Sequence, residues 1–389
     1  MAGGSRETRR TEDRRWLRLA VELAERGRGR TRPNPMVGAV LVKEGRVVGR
    51  GWHARAGSPH AEVRALRQAG PQARGARLYV NLEPCCHFGR TPPCTDAILA
   101  AGVREVIACM RDPDPRVNGR GFAALRKAGV RVTMGSLRSE AEKLNAAFLH
   151  RQRSGLPSVT LKAGMSLDGR IATRAGRSQW ITSASARRDA RRLRAEHDAV
   201  LVGVGTLLAD DPRLSAPGAN GHARAIDPVR VVLDSRLRTP AASRILRTAG
   251  GPVLLVTRRN ASPLRRRRLE RAGATVVEVA ARGGRVDLRA ALRALGRRGI
   301  ASVLIEGGGE VLGAALDQKV GDRLVLYVAP RLFGGSAARP AFAGRGAAPV
   351  AGAAQLVSPR WRRVGSDWVV SARLRHSPRR PARRLDAEA

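Results

Sequence analysis

HAEVRALRQAGPQARGARLYVNLEPCCHFGRTPPCTDAILA, residues 60–100, is the stretch on which the reading of this chain turns. His60-Ala61-Glu62 opens a run with apolar residues at helical spacing, 78–80 is a short apolar strand, and Glu83-Pro84-Cys85 and Pro92-Pro93-Cys94 follow. One imidazole and two thiolates supply three zinc ligands. The fourth position stays open to water, which is the catalytic arrangement rather than the closed structural one. Bound zinc brings the pKa of its water from about 15.7 towards about 7. A carboxylate must then carry protons. Glu62, two residues beyond His60 on a helix, is offset from the ligand direction and suits that task better than a fourth ligand. Cys94 opens a helix after Pro93, where the dipole favours thiolate. A lone His or Cys is usually packing; the ordered set His60, Glu62, Cys85 and Cys94 is not. By contrast Cys109, inside apolar VIACM, reads as core, and nothing requires Cys86 to bind metal.

Outward from this stretch the first half alternates strand and helix signals. Residues 37–42 and 47–51 read as a hairpin with Glu44-Gly45 near its turn. Helices are expected at 17–25, 61–69, 95–101 and 121–128, and strands at 78–80, 106–110 and 130–134. That order predicts a layered α/β domain over residues 1–149. HRQRSGLP at 150–157 is polar, contains Gly and Pro, and reads as a linker. Apolar runs and helical stretches alternate again through 158–375, which predicts a second α/β domain. Residues 376–389 read as a disordered basic tail.

With 389 residues, 43% of them hydrophobic, the chain suffices for two cores. No apolar run of about 18 residues is free of charge. The polar start MAGGSRETRRTEDRR lacks the apolar segment of a secretory signal. A cytoplasmic protein off the membrane is expected, and in that reducing setting clustered cysteines favour metal or catalysis over disulfides. The formal charge of +41 raises nucleic acid as a partner. Yet only five of the 73 basic residues are lysine, the bias that GC-rich coding leaves, and the charge is spread over both halves. The run 265–268 reads as a solvated helix face. No nucleic-acid partner is expected on these grounds, and a homo-oligomer stays open.

The zinc segment resembles the nucleotide and nucleobase deaminases, whose signature is H-x-E with P-C-x-x-C. Eight residues rather than two separate Cys85 from Cys94, and the intervening CHFGRTPP resembles the riboflavin-pathway deaminases. TRPNPMVGAVLV at 31–42 and DPDPRVNGRG at 112–121 carry the same resemblance. It implies a cytidine-deaminase-like domain that removes the 2-amino group of 2,5-diamino-6-ribosylamino-4(3H)-pyrimidinone 5′-phosphate with zinc-activated water, Glu62 moving protons. It also implies substrate contacts for Asn34, His53, His87 and Arg90. Arg90 is a fixed-charge donor suited to phosphate. Asn81, Cys86 and Asp114 depart from the family pattern of Thr, Ser and Asn. Asp114 brings negative charge near a phosphorylated substrate.

In the second half, 304–316 (LIEGGGEVLGAAL) reads as a buried strand ending at Glu306 in three glycines that run into a helix. Such a turn lets backbone amides approach a pyrophosphate, but it lacks the G-x-G-x-x-G form of a Rossmann domain. With LKAGMSLDGRIA (161–172), SQWITS (178–183) and LRAEHDAVLVGVGTLLADDPRL (193–214), it resembles the reductase domain of bifunctional riboflavin-biosynthesis deaminase–reductases, similar in fold to dihydrofolate reductase. The resemblance implies NADPH contacts at Ala163, Trp180, Thr206, Asp210, Ser235, Gly308, Gly309, Glu310, Val311, Leu312, Gly313 and Ala314. It implies substrate contacts at Ser178, Arg194, Leu214 and Glu306. Pro217 stands where the family places a phosphate-holding Arg, with Arg213 or Arg224 as candidate substitutes. The implied reaction is hydride transfer from NADPH to C1′ of the ribosylamino group, giving ribitylamino. Lys162 is the expected proton donor, with Asp210 and Glu306 as alternatives. A tRNA-type base deaminase is the main rival, against which the long cysteine loop and the second half argue. A zinc-stabilised binding module is the other, against which intact Glu62 argues.

Overall fold

The computed structural model describes residues 2–89, 91–216 and 227–376. Arg90, Pro217, Arg224 and residues 377–389 lie outside the described residues. The chain divides into two compact units, one built on residues up to Pro157 and the other on Ser158–Leu295 and residues from Ser302 onward.

The first unit runs α1 (Ala2–Glu25), β1 (Gly38–Lys43), β2 (Arg46–Trp52), α2 (Ala61–Ala69), β3 (Arg77–Val80), α3 (Cys94–Ala100), β4 (Glu105–Ala108), α4 (Arg120–Lys127), β5 (Arg131–Met134), α5 (Arg138–Leu144) and α6 (Ala146–Ser154). Its five-stranded sheet has the order β2-β1-β3-β4-β5, with β1 antiparallel to both neighbours and β3, β4 and β5 parallel. The alternation of strand side chains divides the core. Ala39, Leu41, Leu78 and Val80 pack with Ala61 and Ala65 of α2, Ile98 of α3 and Phe122 of α4. Val40, Val42 and Tyr79 pack on the other face with Trp16, Leu17 and Ala20 of α1 and Phe148 of α6. Strands covered on both faces are apolar throughout, which is why they read so plainly.

The β1–β2 hairpin turns on Glu44 and Gly45, both at positive φ (50° and 71°), the backbone that a two-residue hairpin loop demands. Gly51 of β2 brings α2 close: a Cβ there would lie 2.1 Å from the Ala61 carbonyl oxygen. Helix α1 begins well before residue 17, where hydrophobic spacing starts. Its polar first turns are anchored by long-range contacts, Arg9 to the buried Glu105 carboxylate at 2.8 Å and Asp13 accepting from the Tyr79 hydroxyl at 2.7 Å. Helix α6 carries through residues 150–154 of the stretch read as linker, and the backbone turns at Gly155 (φ 69°).

The second unit runs β6 (Ser158–Ser166), β7 (Arg170–Ala172), α7 (Ala184–Glu196), β8 (Ala199–Gly203), α8 (Val204–Asp210), β9 (Val229–Leu233), α9 (Arg244–Arg247), β10 (Val253–Arg258), α10 (Pro263–Arg271), β11 (Ala274–Val279), β12 (Ala281–Arg282), β13 (Arg285–Val286), α11 (Leu288–Arg297), β14 (Ser302–Glu306), α12 (Gly309–Asp317), β15 (Arg323–Ala329), β16 (Arg339–Pro340), β17 (Gln355–Val364) and β18 (Asp367–Arg375). Nine of these strands form one sheet, in the order β11-β10-β9-β8-β14-β6-β15-β18-β17. The seven from β11 to β15 are parallel, and β18 and β17 close the edge antiparallel. Both units are α/β, as expected. In such a sheet ligands bind outside the carboxyl ends of the strands, and Glu306 and the glycine turn stand at that end of β14.

Candidate metal centre and reductase site

His60 immediately precedes α2, Cys85 follows β3, and Cys94 is the first residue of α3. Their ligand atoms lie within 4.8 Å of one another. His60 Nδ1 is 3.2 Å from Cys94 Sγ and 3.5 Å from Cys85 Sγ. Tetrahedral zinc with ordinary bond lengths separates nitrogen and sulfur by about 3.6 Å, so the donor set fits that ion. His60 Nε2 lies 3.3 Å from the Thr91 hydroxyl, the outward hydrogen bond that fixes a ligating imidazole. Before any metal enters, the hydrogen bond from Cys94 holds the Cys85 thiol down to about 4.

Glu62 is buried in the first turn of α2. Burial pushes its pKa up from the ordinary carboxyl range. A carboxyl so raised binds and releases protons closer to neutral pH, which is what a proton carrier requires.

Asn34 and His53 join this site. The Asn34 amide lies 3.0 Å from His53 Nε2, and the His53 ring packs edge-on to His60 with centroids 5.2 Å apart. Burial, then the neighbouring His60, lowers His53 to about 4, so it is neutral at physiological pH. His87 lies beyond Cys85, and its Nδ1 is buried without a partner among the described residues. Asp114 is neutralised in place, because Arg116 grips it with Nε at 3.0 Å and Nη2 at 2.6 Å.

Two positioning devices were missed from the sequence. The buried Glu83 carboxylate accepts from the amides of Asp112 (3.3 Å), Gly119 (2.9 Å) and Phe122 (3.1 Å), tying the Cys85 loop to the start of α4. Asn145 accepts from the Met36 amide and donates to its carbonyl, at 2.8 and 2.9 Å, while Asn81 donates to the same carbonyl at 2.9 Å. Together they fix the loop that carries Asn34. Only spacing to a ligand hinted at Glu83, and nothing in the sequence marks Asn145.

In the second unit, Glu306 ends β14 and pairs in the ladder with Lys162 of β6. Arg194 of α7 holds Glu306 and also donates from Nη1 to the Ser215 carbonyl at 3.0 Å. Burial pushes Glu306 up, but Arg194 and then Lys162 outweigh it and hold the carboxyl down to about 2. Ser178 donates to Asp210 at 2.9 Å. Trp180 is 61% exposed under the Arg187 guanidinium. Ala163 is buried on β6.

Gly307 and Gly308 have φ of 81° and 75°, and a Cβ at Gly308 would lie 3.2 Å from Thr206 Oγ1. At Gly309 a Cβ would lie 2.4 Å from the Pro340 carbonyl oxygen. The Val311 and Leu312 amides bond the Gly308 carbonyl, which leaves the preceding amides at the start of α12 for a ligand. A backbone cradle bare of side chains fits a dinucleotide pyrophosphate.

Leu214 (2% exposed) and Leu312 (0%) are buried, and Gly313 packs against the Ala343 backbone. Glu310 is exposed and paired with Arg285 at 3.0 Å. Val311 and Ala314 are half-buried on α12. The Ser235 hydroxyl accepts from the Val286 amide at 2.9 Å.

Two family models match the chain: the cytidine and deoxycytidylate deaminase zinc-binding region over residues 10–110, and the RibD C-terminal domain over residues 157–370. Riboflavin biosynthesis protein RibD of Escherichia coli (strain K12) is 43% identical over 335 residues, covering 84% of this chain and 90% of that protein. RibD of Bacillus amyloliquefaciens is 42% identical, covering 85% and 88%. Among solved structures, Acinetobacter baumannii RibD matches with a TM-score of 0.83 at 38% identity, covering 94% of this chain and 99% of that one. A diaminohydroxyphosphoribosylaminopyrimidine deaminase/5-amino-6-(5-phosphoribosylamino)uracil reductase from Thermotoga maritima matches at 0.77 and 33%, with the same coverage.

Proposed function

Because the chain belongs to the RibD family, we propose that its first unit deaminates the phosphorylated diaminopyrimidine named above and its second unit reduces the product. It is a bifunctional enzyme of riboflavin biosynthesis, a zinc-dependent deaminase and an NADPH-dependent reductase.

His60, Cys85 and Cys94 hold zinc, which when bound supplies an activated water for hydrolysis. Glu62, buried beside these ligands, would hold and move the proton that the departing ammonia needs. Neutral His53, oriented by Asn34, accepts or donates hydrogen bonds to the pyrimidine without competing for charge. In the second unit the amides at the start of α12 cradle the pyrophosphate of NADPH, which when bound supplies the hydride for C1′. Arg194 and Glu306 shape the substrate side, and Lys162 protonates the developing amine. No helix of the described residues is long and apolar enough to cross a membrane. Free cysteines fit a reducing cytoplasm.

One observation carries the deaminase assignment: three ligand atoms gathered within 4.8 Å, beside a buried Glu62. The test supplies the diaminopyrimidine with and without NADPH. Ammonia release requires zinc and no NADPH, and NADPH oxidation follows it. Glu62→Gln lowers ammonia release by about 10²- to 10⁴-fold while reduction of pre-deaminated substrate persists. Undiminished ammonia release from that variant would refute the assignment of Glu62.

A further inference from the structure

We propose that Asp189, on α7, is a positioning residue for the reductive step. It pins the Tyr327 ring over which the Lys162 ammonium lies, while Arg194 of the same helix pins Glu306 on the other side of that lysine. The inference rests on the reductase reading above, with Lys162 as its proton donor, and names the helix that aims the donor.

The strand register sets the places. Glu306 of β14 pairs with Lys162 of β6, and Lys162 with Val325 of β15. Two residues further along, and so on the same face of the sheet, Gly164 pairs with Tyr327. Tyr327 pairs in turn with Val369 of β18, and Val369 with Arg362 of β17. Gly164 puts no side chain beside the ring, and the Lys162 ammonium lies over it, 5.9 Å from its centre. A cation within about 6 Å of a ring centroid is attracted to the ring face.

Helix α7 packs on this face and grips both flanks of Lys162. Its Ala186, Ala190 and Leu193 share one core with Val325, Tyr327 and Val369. Asp189 accepts from the Tyr327 hydroxyl at 2.7 Å. Five residues on, about 7.5 Å along the helix axis, Arg194 donates to Glu306 at 2.8 Å. Tyr327 is 1% exposed. A ring tilted away from Asp189 would strand a buried hydroxyl, which is costly, so the hydrogen bond fixes where the ring sits. Arg362 also donates to Asp189 and balances its charge, and by that contact the exposed strand β17 reaches the site. The helix is itself fixed at its start. There the Ser183 hydroxyl accepts from the Ala186 amide at 3.2 Å, and the Ser183 amide donates to buried Asp367 at 2.7 Å. A misplacement of about 1 Å, caused far from the chemistry, can slow a reaction on the order of 10²-fold. Asp189 acts in this way, through Tyr327 on Lys162.

The test is single-turnover reduction of pre-deaminated substrate by the full-length chain, with NADPH affinity measured in parallel. Asp189→Ala lowers the rate roughly 10- to 100-fold, and NADPH affinity stays within about twofold. Asp189→Asn, which can still accept from the Tyr327 hydroxyl, recovers most of the rate. Tyr327→Phe keeps the ring but loses the link, so it matches Asp189→Ala and carries the same comparison should that variant fail to fold. The decisive measurement is the double variant. With Lys162→Ala already in place, Asp189→Ala slows reduction by no more than about twofold, because no ammonium is left to aim. An equal loss with and without Lys162, or the parent rate in Asp189→Ala, overturns the inference. Lys162→Ala reducing at the parent rate instead refutes the proton-donor reading on which it stands.

Discussion

Arg194 holds Glu306 with two parallel hydrogen bonds, Nε to Oε1 at 2.9 Å and Nη2 to Oε2 at 2.8 Å. Both side chains are largely shielded from solvent, 16% and 7% exposed. Removing one partner leaves a buried charge uncompensated, which costs about 3–5 kcal/mol, whereas replacing both by apolar groups costs far less. Arg194→Met is therefore expected to lower the urea midpoint of the second unit strongly. Arg194→Met combined with Glu306→Leu recovers most of that loss. Additive losses in the double variant would mean that the pair is not energetically coupled.

The same carboxylate predicts an acid sensitivity. Glu306 sits at about 2 in the folded chain against an ordinary value of 4.5. A carboxyl lowered on folding stabilises fully above its unfolded pKa, and the contribution disappears as pH falls through the folded one. Stability on the order of 3 kcal/mol is thus lost between about pH 4.5 and pH 2. Denaturation midpoints measured down that range fall steeply in the parent. They fall less in Glu306→Gln, which has no proton left to take up.

Glu83 is expected to govern zinc affinity without touching zinc. Its three accepted amides hold the Cys85 loop on α4. Glu83→Ala strands buried donors at about 1–3 kcal/mol and frees the loop, so zinc binding weakens roughly tenfold or more in competition with a chromophoric chelator. Leu125→Ala, a cavity in α4 away from the ligands, is the control. If it loosens zinc equally at matched stability, Glu83 is only a structural residue.

The deaminase site was readable because its chemistry depends on residue types at fixed local spacing. His60, Cys85 and Cys94 fall within 35 residues, and their ligand atoms lie within 4.8 Å of one another. The parallel strands were readable because burial on both faces leaves continuous apolar runs. The β17–β18 hairpin was not. Strand β17 has no buried residue and carries Arg360, Arg362 and Arg363, so its pattern looks like loop. Asn145 was invisible for another reason: it acts on Met36, 109 residues away, and a polar residue between two short helices looks like a cap.

Lys162 is the residue on which the reductive step is expected to depend. The alternatives weaken on inspection of their surroundings. Glu306, held at about 2, carries no proton to give at neutral pH. Asp210 already accepts from the Ser178 hydroxyl at 2.9 Å and the Gln179 amide at 3.4 Å. Lys162 stands opposite Glu306 in the strand ladder, with Nζ 5.9 Å from the centre of the Tyr327 ring. Tyr327 is itself pinned by donating to Asp189 at 2.7 Å. An ammonium placed by a carboxylate and a rigid ring face is ready to protonate an amine as hydride arrives. Lys162→Ala should slow single-turnover reduction by about 10²- to 10⁴-fold while NADPH still binds. Lys162→Arg keeps the charge but has no proton to give at that pH, so it should not restore the rate. Full rate in Lys162→Ala, or rescue by arginine, would leave Lys162 an electrostatic neighbour of Glu306 and nothing more.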